Sequence, residues 1–148
     1  MKAFRLLLVI VLLLPLRALR ADSEERPLMS VDIPFAFTVA NTRLPAGHYV
    51  IYSVDFDHLW RLSSFRRGGT AFFSITTDQV EPKPGLSKLV FYRYEKEYVL
   101  HAIDENPRST KATLLPTKRE KQLERSSSQP EIAMVYAQSG AQAGTQRQ

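Results

Sequence analysis

The sequence predicts a mainly β protein, a small antiparallel β-barrel or sandwich of six to seven strands with one short helix in its C-terminal half. Three observations predict it. Val31, Ile33, Phe35, Phe37 and Val39 hold the odd positions of 31–39, with Asp32, Pro34, Ala36 and Thr38 between them. That period of two marks a half-buried strand. Turn signals then recur at spacings of about 10 to 15 residues, as in all-β domains. Finally, Thr117-Lys118-Arg119-Glu120 reads as a helix capping box, with Thr117 as cap and Glu120 returning to its backbone N–H.

The elements follow in order. Residues 22–27 are a polar, flexible lead, and a single β domain is expected over 28–137. The first strand covers 31–39. Pro34 lies on its polar phase and lacks a ladder donor, so this is an edge strand or one that pairs on that side only before or after Pro34. Asn41 to Gly47 is a turn region: Pro45 presets φ for the second turn position, and Gly47 suits the fourth. Strands are expected at 49–54 and 59–65. Arg66-Arg67-Gly68-Gly69 is the strongest hairpin signal, because Gly-Gly permits positive φ. A strand at 70–76 follows. After a loop rich in proline, 88–94 and 98–103 form a hairpin around Glu95-Lys96-Glu97. Residues 104–112 read as a polar loop. The capped helix runs to about residue 125. Leu123 is its one apolar residue, which predicts a solvated and weakly anchored helix. A last strand is expected at 132–137, and a disordered Gly/Ala/Gln/Ser-rich tail at 138–148.

The N-terminus is a targeting signal in form. Lys2 and Arg5 precede an apolar block over 6–16, small residues Ala18 and Ala21 follow, and an acidic run begins at Asp22. This is the order of a secretory signal peptide covering 1–21, and the protein is expected to be exported, periplasmic or extracellular. The block is shorter than the roughly 20 apolar residues that span a bilayer, so no transmembrane span is expected once the signal is removed. Four of the 20 Lys and Arg residues lie in this segment, and none of the 15 Asp and Glu residues. The rest of the chain carries 16 positive charges against 15 negative. A nucleic-acid binder is basic in its folded part, so nucleic acid is not an expected partner. There are no cysteines, which excludes disulfides, thiolate metal sites, cysteine nucleophiles and a lipoprotein anchor.

No constellation of catalytic or metal-binding residues emerges. His48, His58 and His101 lack the spacing of a metal pair. Asp55 with Asp57, and Glu95 with Glu97, sit in exposed turns, where paired carboxylates do not acquire the different environments that acid/base work requires. There is no phosphate-binding glycine loop and no nucleophile elbow. No cofactor and no metal are expected. Trp60-Arg61 and Tyr92-Arg93-Tyr94 interleave aromatics with arginine, as strand alternation also does. With Pro34, these five residues are the candidate contacts for a ligand or partner.

Three segments together resemble a known family. "VDIPFAFTVANTRLPAGHYVI" (31–51), "KLVFYRYEKEYVLHAI" (88–103) and "LLPTKREKQL" (114–123) occur in one order. They are similar to a pattern found in small exported bacterial proteins of uncharacterised function. In that pattern a V-x-I-P-F-x-F strand leads to L-P-A-G-x-Y, then L-V-F-x-R-Y, then L-P-x-[ST]-x-R-E. The resemblance covers about residues 30–125. It implies a signal peptide and a compact β domain, and it carries over no assigned activity, cofactor or catalytic residue. The chain departs from the pattern at Glu95, where family members usually carry glycine. The sequence therefore points to an exported, non-enzymatic module that contacts an envelope component or a protein partner. Two alternatives are a β-barrel binding a small apolar ligand, and a hydrolase on the barrel rim with His48 or His58 as base.

Overall fold

The computed structural model describes residues 25–55, 58–64, 66, 69–81, 85–106, 109–126 and 129–138. The expected signal peptide, the start of the flexible lead and residues 139–148 of the expected tail lie outside them. The described residues are mainly β, with antiparallel pairing dominant and one short helix. Among the described residues the chain forms ten strands, more than the six or seven expected.

The surplus arises at three places. The stretch 31–39 is not one strand. β1 (Arg26–Ile33) ends immediately before Pro34, and β2 (Phe37–Val39) begins three residues after it. Proline has no N–H and disfavours helical φ/ψ at the residue before it, so the ladder stops there. The chain then changes partners. β1 pairs antiparallel with β4 (Gly47–Ser53), Ile33 opposite Gly47 and Val31 opposite Tyr49. β2 forms a small hairpin with β3 (Thr42–Leu44), a surplus strand inside the expected turn region 41–47, and lies parallel to β8 (Glu97–Glu105), Phe37 opposite Tyr98. The third surplus strand is β9 (Thr110–Leu114), whose first three residues fall in the stretch 104–112 read as a polar loop. It pairs with β8 on one side and β6 (Thr70–Gln79) on the other. The strand start at Arg26 likewise falls inside the expected lead.

β4, β5 (Leu59–Ser63) and β6 follow as an antiparallel meander. Gly69 does not use the positive φ that the Gly-Gly signal offered. A Cβ there would lie 2.9 Å from Leu44 Cδ2, so its bare Cα makes room for the β3 side chain. β7 (Lys88–Tyr94) joins β8 through the expected hairpin. Its turn residue Glu95 has φ of 53°, a conformation glycine adopts without strain. β10 (Glu131–Tyr136) pairs with the outer edge of β7.

The path β1-β4-β5-β6-β9-β8 continues to β7 and β10 and almost returns to its start. Among the described residues no continuous ladder closes it. β1 and the end of β10 meet at one bridge, where Gln138 N–H donates to Ser30 O at 3.0 Å. The Gln138 amide also donates to the Asp32 carboxylate.

Inward side chains of both halves fill the interior. Phe37 packs edge-on against Tyr49 and Phe91, at 5.3 and 5.5 Å between ring centroids. Phe35, in the break between β1 and β2, stacks on Tyr98 at 3.9 Å and meets Phe91 edge-on. Tyr49 is fully buried, and its hydroxyl donates to Pro45 O at 2.6 Å. This bond gives the L-P-A-G-x-Y stretch a physical reading: the tyrosine ring enters the core while its hydroxyl ties down the corner four residues upstream. A buried hydroxyl needs such a partner.

Helix α1 (Lys118–Ser126) is capped as expected, with Thr117 Oγ1 accepting from Glu120 N–H at 3.1 Å. Its anchoring differs from the expectation. Leu123 is only half-buried, and the buried residue is Glu120.

Candidate functional site

Two strands and the helix build an outer face unlike the rest of the surface. On β7, Tyr92 and Tyr94 are two residues apart and share a face, their rings 6.4 Å apart and nearly perpendicular. On β8, His101 stacks flat on Tyr92, with 3.9 Å between centroids. α1 is tied to this face by Glu120, whose Oε1 lies 3.8 Å from His101 Nδ1. Arg119 on the helix also pairs with Glu97 at 3.2 Å.

The titratable groups here sit in an apolar setting. Burial pushes Tyr94 up to about 12, and the negative charges of Glu124 and Glu120 add to this. Burial raises the Glu120 carboxyl above the ordinary glutamate range, and Glu124 adds to this, while a hydrogen bond from the Thr117 backbone works against it. Burial lowers His101, as does the charge of Lys111, while Glu124 acts in the opposite sense. The Tyr94 hydroxyl is buried and has no hydrogen-bond partner among the described residues.

Beside this cluster runs an apolar stripe on β10. Ile132, Met134 and Tyr136 are 61, 49 and 57% exposed. Ala133 and Val135, between them, pack against the core. The stripe is continuous with β7, because Ile132 lies opposite Tyr92 and Met134 opposite Val90. Its polar flanks are self-neutralising: Arg93 pairs with Glu131 at 3.0 Å, and Lys88 with Asp104 at 3.5 Å.

Of the six residues singled out from the sequence, Tyr92, Arg93 and Tyr94 lie on β7 beside this stripe. Tyr94 is 2% exposed, so it supports the helix from below and presents no surface. Trp60 is core, at 4% exposed, and is not a surface contact either, because its position on β5 points inward. Arg61 lies over the Tyr52 ring at 4.4 Å and pairs with Glu25, on the other half of the sheet. Pro34 is exposed in the break after β1. Sequence reasoning missed Ile132, Met134, Tyr136 and Glu120. The 132–137 run is apolar at both parities, which hides which face is exposed, and a carboxylate gives no sign that it will be buried.

The remaining candidates stay apart. His48 Nδ1 meets Asp32 Oδ1 at 2.8 Å at the exposed seam. His58 is exposed, and its backbone N–H donates to Asp55 Oδ1 at 2.9 Å. Asp57 lies outside the described residues. Among the described residues no histidine is hydrogen-bonded to a Ser or Thr hydroxyl, and no three His, Asp or Glu residues are grouped to hold a metal ion. An open groove of about 260 Å³ lies elsewhere, lined by Ala40, Leu59, Phe72, Ser74 and Leu115 among others. Comparison with protein-family models, curated proteins and solved structures finds no match to this chain.

Proposed function

We propose that this chain is an exported, non-enzymatic β module, and that it binds an extended apolar segment of an envelope protein along β10. One observation carries the reading: a strand with a ladder on one side bears three large apolar side chains at alternate, solvent-facing positions. Contiguous exposed apolar surface marks interaction sites. A strand edge with alternate side-chain contacts suits the addition of a partner strand, in which backbone bonds supply affinity and the alternate contacts supply specificity. The compensated charges at Arg93–Glu131 and Lys88–Asp104 favour an uncharged partner segment over a strongly charged one. The near-neutral charge of the chain after residue 21 agrees with this.

The test compares retention of envelope proteins by the wild-type chain, Met134→Lys and Phe72→Lys. Met134 is half exposed, so the lysine should shift stability by no more than about 0.5 kcal/mol. A protein bound by the wild type and by Phe72→Lys, but weakened at least tenfold by Met134→Lys, supports the reading. Specific retention that Met134→Lys leaves intact, or no specific retention at all, overturns it.

A further inference from the structure

Helix α1 has nine residues, fewer than the roughly 12–15 at which an isolated helix becomes even marginal in water. Its form therefore depends on docking. Yet the residue it buries is Glu120, 4% exposed, where an apolar side chain would ordinarily serve. That carboxyl is held between its own helix start at Thr117 and the imidazole of His101, 3.8 Å away. Under it lies Tyr94, whose buried hydroxyl has no hydrogen-bond partner among the described residues. A buried carboxylate is tolerated poorly and a buried carboxylic acid far better. We propose that α1 is a proton-controlled strap, seated over the β7–β8 face while Glu120 carries a proton and loosened when that carboxyl ionises.

The charged and titratable neighbours come from each packed element: Tyr92 and Tyr94 on β7, His101 on β8, Lys111 on β9 and Glu124 on the helix itself. Their signs can be followed. The folded Glu120 holds its proton more tightly than the unfolded chain does. Its contribution to seating is therefore complete below the ordinary glutamate value of about 4.3 and is lost as pH rises through the folded value. His101 pulls the other way. Its folded form releases the proton more readily, so its contribution is lost as pH falls below about 6.5. The His101 side chain is 27% exposed against 5% for Glu120, so solvent screens it more and Glu120 dominates. Loosening the strap uncovers Tyr94 and His101. This inference stands whether or not β10 binds a partner.

Hydrogen exchange on the full chain tests it, with amides of Leu100 and Ile103 on β8 as internal reference. Protection of the α1 amides, corrected for intrinsic exchange, should fall at least threefold from pH 4.5 to pH 7.5 while the reference holds. Glu120→Gln, which cannot ionise, should show no fall, and its remaining pH dependence should be a rise from the His101 contribution. His101→Gln should steepen the fall by removing the opposing contribution. A wild type without the fall, a Glu120→Gln helix that loosens as the wild type does, or a fall abolished by His101→Gln would each overturn the proposal.

Discussion

Replacing Glu95 by glycine should stabilise this protein, against the usual direction for a glycine introduced at a strand turn. Glu95 and Lys96 are the two residues linking β7 to β8, and φ at Glu95 is 53°. A residue bearing a Cβ is disfavoured in the left-handed region by about 1–2 kcal/mol. Glycine removes that strain but gives the unfolded chain more freedom, which offsets about 0.4–1 kcal/mol. The Glu95 side chain is exposed, and Arg93 Nε–H donates to its backbone oxygen, at 3.0 Å, so the substitution deletes no described contact. The net gain is about 0.5–1 kcal/mol, which raises Tm by about 2–5 °C in a domain of this size. Thermal unfolding followed by circular dichroism measures it. Glu95→Ala serves as the control, since alanine keeps the Cβ and should recover none of the gain. A Glu95→Gly protein no more stable than wild type, or an alanine variant equally stabilised, refutes the reasoning.

Other outcomes follow from burial. Phe91 is fully buried and meets Phe35 and Phe37 edge-on, so Phe91→Ala should lower stability by about 3–5 kcal/mol in urea unfolding, through lost transfer energy and a residual cavity. Tyr94→Phe should be at least as stable as wild type at pH 7, because it removes a buried hydroxyl without a partner among the described residues. A loss above about 1 kcal/mol would mean that the hydroxyl is bonded in solution. Because Tyr94 is pushed up to about 12, the folded state keeps a proton that the unfolded chain loses near 10. Stability should therefore fall as pH rises from 10 towards 12, and Tyr94→Phe should flatten that fall.

Period-two alternation made much of the sheet legible, since inward positions such as Val31, Ile33, Phe37, Leu89 and Phe91 are apolar in sequence and buried in the fold. The capping box was legible because its chemistry is local. Long-range pairing was not. Pro34 announced a break in pairing, but nothing in 31–39 says that β2 will leave β4's neighbour and lie beside Tyr98. β9 was hidden because Thr110-Lys111-Ala112-Thr113-Leu114 puts only alanine and leucine inward, a weak apolar signal beside a polar loop. The candidate site was half visible. Tyr92, Arg93 and Tyr94 stood out by composition, whereas the burial of Glu120 depends on where α1 docks, which is a property of the assembled sheet.

The seam between the first and last strands has a topological consequence. Ser30 and Gln138 are hydrogen-bonded neighbours although they stand near opposite ends of the described chain. A linker from just beyond Gln138 to just before Arg26 would have little distance to cross, so the order of strands along the polypeptide can be cut and rejoined without disturbing who pairs with whom. New termini opened at Glu95-Lys96 would leave every other turn intact. A circularly permuted chain of that kind should therefore keep the same barrel-like sheet, with its beginning and end moved to the far hairpin.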